Sequence, residues 1–375
     1  MAHTAFKYRL NPTKEQEKTL LKFCNASKEA FNLALIWQEE AKKSGEKFIS
    51  CFSLYKKLTE YKKISPSFEG VPVIVVRSGL KNCADAIENY KSKRSKFPKF
   101  KDDKSKLSFS IPDSSAFSIN ETNSIIKLRG IDSIKYINSR QIQGRIISAT
   151  VSFYLGFWYI SIVTEINYQT QNCENTRSVG IDIGITRFIT LSDGRYFNKN
   201  YNYTKLTNKI KKEEQILKTK SIGSKNYEKQ NLKVLKARNK LVNCRKDFLH
   251  KLTDKISKEY GIVCIEDLSI NRLVQIERDS PYFRKSMNEA FYDSSFYEFR
   301  QQLEYKLKRT GGKLVVVNPA YTSITCPKCC FISKENRSSQ AVFKCVKCSF
   351  IENADFVASI NIHNLGVGTT HMTQR

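Results

Sequence analysis

Residues 179–185 read Val-Gly-Ile-Asp-Ile-Gly-Ile, an apolar run with a single carboxylate, Asp182, at its centre. Burying a carboxylate among apolar residues is costly unless it is paired or holds a cation. The run is followed by Phe188-Ile-Thr-Leu191, the turn Ser192-Asp193-Gly194, and Tyr196-Phe197. Short apolar segments joined by tight turns predict an antiparallel meander of strands, with Asp182 presented by the first.

Two further acids extend the pattern. Gly261-Ile-Val-Cys-Ile-Glu-Asp-Leu268 reads as a buried strand ending in an acid pair. Glu266 then lies at the carboxyl end of its strand, where α/β sheets place their sites. Asp267 is expected to cap a helix or to support Glu266 by hydrogen bonding. The third acid, Asp355, precedes Ala358, Ile362 and Leu365 at helical spacing, which puts it in the first turn of a helix packed on the sheet. Lys313-Leu-Val-Val-Val-Asn318 supplies another buried strand before it. A meander, a strand ending in Glu and a late helix bearing Asp match an RNase H-like fold. Its chemistry explains three separated carboxylates. Phosphodiester hydrolysis builds negative charge on the attacking and leaving oxygens, and two Mg²⁺ ions about 4 Å apart, held by carboxylates, offset it. Magnesium prefers oxygen ligands and retains water. The four histidines, His3, His250, His363 and His371, form no catalytic motif, which suits a water nucleophile activated by metal.

Between the last strand and the last helix, Cys326-Pro-Lys-Cys329 and Cys345-Val-Lys-Cys348 form C-x2-C-x15-C-x2-C. Four thiolates in two knuckles close a tetrahedral zinc site with no open position, so the zinc is expected to be structural. The remaining seven cysteines are scattered. The ribbon brings Arg337, Lys344 and Lys347 towards the third acid, and Arg337 becomes a candidate nucleic-acid contact.

Upstream, residues 205–258 are helical and basic, with a break expected near Gly223. Residues 167–178 are polar and read as a linker. Residues 107–166 alternate apolar and polar positions and predict several antiparallel strands, a small barrel completed by an N-terminal strand over 6–10. Helices are expected from Thr13, with Gln16 forming a capping box, over 53–61 and over 75–92. Leu20, Phe23, Ala30, Phe31, Ala34 and Trp37 recur at helical spacing as a core stripe. The segment 91–106, KSKRSKFPKFKDDKSK, carries eight basic residues against two acids. Its Lys93, Arg94, Lys96 and Lys99 are candidate phosphate contacts, with Phe97 and Phe100 placed to stack on bases.

Composition agrees with a nucleic-acid partner. Lysine and arginine number 64 against 36 acids, a formal charge of +28. Charge of this size opposes compaction unless a polyanion offsets it. A hydrophobic content of 40% supports real cores in two or three domains. No segment approaches the roughly 20 apolar residues of a membrane span, and the N-terminus lacks a signal-like apolar run. Eleven cysteines without a disulfide pattern agree with a reducing compartment. A cytoplasmic, nucleoid-associated prokaryotic protein is expected, away from membranes. With 20 residues after Asp355, no further C-terminal domain is expected.

Several stretches together resemble the TnpB family, RNA-guided nucleases encoded by insertion sequences and related to type V CRISPR effectors. They are residues 8–16 (YRLNPTKEQ), 97–100 (FPKF), 180–184 (GIDIG), 265–268 (IEDL), 299–306 (FRQQLEYK), 317–329 (VNPAYTSITCPKC), 335–348 (ENRSSQAVFKCVKC) and 353–362 (NADFVASINI). The resemblance implies an α+β multidomain chain. Residues 1–12 and 100–170 would form a wedge β-barrel, and 13–99 an inserted helical recognition region. Residues 178–322 and 352–368 would form an RNase H-like RuvC α/β domain, interrupted by a zinc ribbon over 323–351. It implies Asp182, Glu266 and Asp355 as Mg²⁺ ligands, and Cys326, Cys329, Cys345 and Cys348 as zinc ligands. It also implies a guide RNA and a target DNA as partners, bound by a protein monomer. Two departures stand out. Cys330 occupies the position after the second zinc cysteine where the family usually has Gly, and Val357-Ala-Ser359 stands where it tends to have Asn-Ala-Ala.

The expected activity is therefore RNA-guided DNA cleavage, with sequence read by base pairing. Two alternatives use the same residues differently: a transposase or integrase carrying out strand transfer, and an RNA-guided DNA-binding regulator that does not cut. The order Asp, Glu, Asp differs from the usual transposase order, and all three acids are present.

Overall fold

Alternation decides the first strand. In β1 (Ala2–Asn11), Phe6, Tyr8 and Leu10 are buried and the residues between them are not. The computed structural model describes residues 2–64, 66, 68–166, 175–184, 187–199, 202–267 and 296–368. The chain divides into two units, Met1–Tyr168 and Gln169–Arg375.

In the first unit β1 leads into three helices, α1 (Lys14–Lys43), α2 (Cys51–Ile64) and α3 (Val73–Lys91). The capping box of α1 is formed: the Gln16 N–H donates to Thr13 Oγ1 at 3.3 Å and the Thr13 N–H to Gln16 Oε1 at 3.0 Å. This satisfies two groups that a helix start would otherwise leave open. Six strands follow: β2 (Ser108–Ile111), β3 (Phe117–Asn120), β4 (Ile125–Leu128), β5 (Ile131–Tyr136), β6 (Arg145–Tyr154) and β7 (Phe157–Ile166). They join β1 in one antiparallel sheet of order β2-β6-β7-β1-β5-β4-β3. The N-terminal strand is thus central, bridging β7 and β5. Leu20, Phe23, Ala30, Phe31 and Ala34 of α1 enter the same core as Tyr8, Phe109 and Trp158, with Trp37 packed at its edge.

The second unit begins with the meander β8 (Ser178–Ile183), β9 (Ile189–Leu191) and β10 (Tyr196–Phe197). Two helices follow, α4 (Tyr203–Lys218) and α5 (Lys225–Glu259), and Gly223 turns between them at φ +84°. Then come β11 (Ile262–Glu266), α6 (Phe296–Arg309), β12 (Lys313–Val317), the paired strands β13 (Val342–Lys344) and β14 (Ile351–Asn353), and α7 (Ala354–Val367). The sheet order is β10-β9-β8-β11-β12, antiparallel through the meander and parallel from β8 to β12. The expected linker lies mostly outside the described residues, because 167–174 are not among them.

Side chains alternate across a strand, and this sorts the second unit into layers. Val179, Ile181, Val263 and Ile265 face one way, into a core with Phe248, Leu249, Leu252 and Ile256 of α5 and Phe299, Leu303 and Leu307 of α6. Cys264 and Val315 face the other way, with Ile362 and Leu365 of α7. Gly180 lies under α7, where a Cβ would meet the Ser359 carbonyl oxygen at 2.2 Å. Only glycine lets the helix approach β8 so closely.

Candidate active site

The same alternation assigns the acids a face. Asp182 is two residues beyond Gly180, and Glu266 two beyond Cys264, so both belong to the side covered by α7. The parallel register pairs Ile265 with Ile181, and one further step brings Glu266 alongside Asp182. The third carboxylate sits on the covering helix. Asn353 caps α7, its Oδ1 accepting from the N–H groups of Asp355 (3.1 Å) and Phe356 (3.2 Å), so Asp355 lies in the first turn.

These charges oppose one another. Burial pushes the Asp182 carboxyl up, and the negative charges of Glu266 and Asp355 push it further. Arg337 and the Ile183 N–H pull the other way, and the balance stands at about 8. Glu266 is also raised by burial, against the Thr322 hydroxyl and Arg337, which lower it. Among the described residues no cation forms an ion pair with Asp182 or Glu266. A cluster of hard oxygen donors that resist common ionisation fits a divalent cation such as Mg²⁺. The three carboxylates do not gather as tightly as the four thiols below.

Several contacts here had no signal in the sequence. The Thr322 hydroxyl donates to Glu266 Oε1 in a short hydrogen bond. Asn361, buried on α7, donates to the carbonyls of Thr322 (2.7 Å) and Thr325 (2.8 Å). Their partners are 56, 39 and 36 residues away in sequence, beyond any periodicity. The residues after Asp267 that a helix cap would involve, from 268 on, lie outside the described residues. Asp267 accepts from Arg300 of α6 at 2.7 Å, in an exposed ion pair.

The four cysteines converge. Cys326 and Cys348 Sγ are 3.6 Å apart, Cys329 and Cys345 Sγ 3.5 Å, and all four lie within 4.8 Å of one another. Tetrahedral zinc with Zn–S bonds of about 2.3 Å sets the sulfurs about 3.8 Å apart, so the cluster fits zinc. Each knuckle closes with an N–H four residues on: Cys330 to the Cys326 carbonyl (2.9 Å) and Ser349 to the Cys345 carbonyl (3.0 Å). Both closing residues are left-handed, Cys330 at φ +58° and Ser349 at φ +60°. Glycine adopts this conformation without strain, which gives the departure at Cys330 its physical meaning. Cys330 itself is exposed and stands outside the cluster.

Asn336 ties the knuckles together. Its Nδ2 donates to the Ile324 (2.9 Å) and Phe331 (3.0 Å) carbonyls, and its Oδ1 accepts from the Val346 N–H (3.0 Å). The next residue, Arg337, exerts its charge on Asp182 and Glu266. Val357 packs into a small core with Cys326 and Phe343. Ser359 is fully buried and donates to the Phe356 carbonyl at 2.7 Å, so its hydroxyl is satisfied.

The basic candidates divide between the units. Lys93, Arg94, Lys96 and Lys99 are all exposed, in the loop after α3. The two aromatic rings there differ. Phe97 packs against Tyr90 (5.2 Å between ring centroids) and Phe48 (6.4 Å), while Phe100 is 48% exposed. Arg337 belongs to the second unit and neighbours the acids.

Comparison with known proteins completes the picture. Residues 296–362 match the family described as "Cas12f1-like, TNB domain", residues 161–277 that described as "Probable transposase", and residues 1–47 a "Helix-turn-helix domain". In this chain that stretch holds the strand Ala2–Asn11 and one long helix, Lys14–Lys43. The chain is 33% identical over 367 residues to the "Putative RNA-guided DNA endonuclease InsQ" of Escherichia coli (strain K12), covering 96% of this chain and 91% of that protein. It is 27% identical to a "Putative RNA-guided DNA endonuclease" of Streptomyces pristinaespiralis, covering 98% and 90%. In fold it is similar to the protein in the "Cryo-EM structure of the Cas12f1-sgRNA-target DNA complex", with a TM-score of 0.56 at 16% identity, covering 94% of this chain and 83% of that one. Among the described residues no helix is long and apolar enough to cross a membrane.

Proposed function

Because the chain belongs to the TnpB family of RNA-guided DNA endonucleases, we propose that it cuts DNA at sites chosen by pairing between a guide RNA and one target strand. The observation that carries this reading is the convergence of three carboxylates on one face of a sheet: Asp182 and Glu266 from two neighbouring strands and Asp355 from the first turn of the covering helix.

In this reading the second unit is an RNase H-like RuvC domain, over 178–322 and 352–368, interrupted by the zinc ribbon of 323–351. The first unit combines a wedge barrel, over 1–12 and 100–170, with the helical recognition region of 13–99. Asp182, Glu266 and Asp355 hold two Mg²⁺ ions. When bound, these ions supply an activated water and offset charge on the attacking and leaving oxygens. The protein's own groups prepare the site. Burial holds back the ionisation of Asp182 and Glu266, and their neighbours' charges hold back Asp182 further, so a cation is favoured there, and Arg337 offers a positive group to the phosphate beside them. The zinc at Cys326, Cys329, Cys345 and Cys348 is structural and holds Arg337 in place through Asn336. Lys93, Arg94, Lys96 and Lys99 engage nucleic-acid phosphates. The protein works as a monomer on its RNA, in the cytoplasm at the nucleoid.

The test combines purified protein, its copurifying RNA and DNA that matches the RNA. Cleavage is expected only with RNA, a matched target and Mg²⁺ together. Cleavage of unmatched DNA at the same rate, or undiminished cleavage in EDTA, contradicts the reading.

A further inference from the structure

Glu266 reaches the site from the end of a strand, and a strand end alone does not fix a carboxylate's rotation. Something must hold one oxygen so that the other is presented steadily. The short hydrogen bond from the Thr322 hydroxyl to Glu266 Oε1 is suited to this. A hydroxyl donating to a carboxylate forms one of the stronger hydrogen bonds available to a protein. Its competing acceptor, the Pro319 carbonyl at 3.0 Å, is neutral and weaker.

Thr322 is itself held. It is 3% exposed, in the loop between β12 and the first zinc knuckle. Asn361, 2% exposed, gives both Nδ2 protons to that loop, to the carbonyls of Thr322 and Thr325. Asn361 lies on α7, the helix that carries Asp355. One helix therefore presents an acid directly and restrains another through a loop. Partners of ligating carboxylates that lie outside the metal's own coordination typically change metal affinity by about 10–100-fold when removed.

We propose that Thr322 is a positioning residue: with its backbone held by Asn361, its hydroxyl fixes Glu266 for divalent-metal binding. This rests on the reading of Glu266 as a metal ligand. The pairing of Val and Ser variants separates the hydroxyl from the methyl. Val keeps the shape and loses the donor, while Ser keeps the donor and loses the methyl.

The full-length, zinc-loaded chain is titrated with Mn²⁺, a paramagnetic stand-in for Mg²⁺, and free Mn²⁺ is read by electron paramagnetic resonance. Thr322→Val is expected to weaken binding by about 10–100-fold, and Thr322→Ser to bind within a few-fold of wild type. Thr322→Ala, which also lacks the donor, gives the same loss should the Val form fold poorly. The inference is overturned if Thr322→Val binds Mn²⁺ like wild type, or if Thr322→Ser fails as badly as Thr322→Val. Glu266→Gln runs alongside. Weak binding by Glu266→Gln with normal binding by Thr322→Val defeats only this inference, whereas normal binding by Glu266→Gln defeats the reading of the site itself.

Discussion

The two ends of the five-stranded sheet treat acids in opposite ways. At the carboxyl ends of β8 and β11, Asp182 and Glu266 stand together with no ion pair among the described residues; burial raises both, and the negative charges of Glu266 and Asp355 raise Asp182 further. At the amino ends, Asp193 and Glu259 are neutralised. Arg195 donates to Asp193 at 3.0 Å and to Glu259 at 2.7 Å, and Tyr260 makes short hydrogen bonds to both Arg195 and Asp193. Burial pushes Asp193 up, yet the Tyr260 and Arg195 hydrogen bonds outweigh it and hold it below its ordinary value. One end clamps the β9–β10 turn to the end of α5. The other gathers carboxylates that resist ionising together, an arrangement suited to a cation. Folding and function thus draw on the same residue type at opposite ends of the same strands.

The contrast can be pressed from its strongest consequence to its weakest. Asp355→Asn is expected to lower target cleavage by at least about 10³-fold, roughly 4 kcal/mol of barrier, with zinc content and fold retained, as measured by gel assay and metal analysis. Cys345→Ser is expected to release the zinc. Cleavage should fall with it, because Arg337 and the Thr322 loop depend on the ribbon; atomic absorption and the same assay check this. Arg195→Ala should behave conversely. The network is partly exposed, so solvent screening limits its worth to about 1–2 kcal/mol, a melting temperature lower by roughly 2–8 °C, with cleavage unaffected below the transition.

The smallest effect concerns pH. Asp182 rises from an ordinary 3.8 to about 8, so the folded state binds a proton that the unfolded state releases. Stability of the metal-free protein from this group is present below about 4 and is lost as pH climbs towards 8. Asp182→Asn removes the loss. Zinc-loaded and without added Mg²⁺, it should melt above wild type at pH 8, with the gap closing towards pH 4. Asp193 has the opposite sign: its contribution is present above its unfolded value and is lost as acid protonates it. Scanning calorimetry across that range reads both.

The legible parts of this site were those with a local signature. An Asp inside an apolar strand, a Glu at a strand's end and paired C-x2-C knuckles announce themselves within a few residues. The contacts that hold them do not. Thr322 meets Glu266 across 56 residues, and Arg195 meets Glu259 across 64. Topology makes such contacts, and topology is set by pairings that composition does not encode. The same limit applies to β1: its alternation was plain, but its place between β7 and β5 depends on long-range register. Phe97 and Phe100 looked alike in a basic segment, and only packing against Tyr90 and Phe48 distinguishes them.

The most direct test sets one acid from each end side by side. Asp182→Ala and Asp193→Ala are assayed on matched DNA with the guide RNA and Mg²⁺, below the melting temperature of either. Asp182→Ala is predicted to leave the DNA intact while Asp193→Ala cuts it at close to the wild-type rate. Cleavage by Asp182→Ala at the wild-type rate would contradict the assignment of the catalytic end.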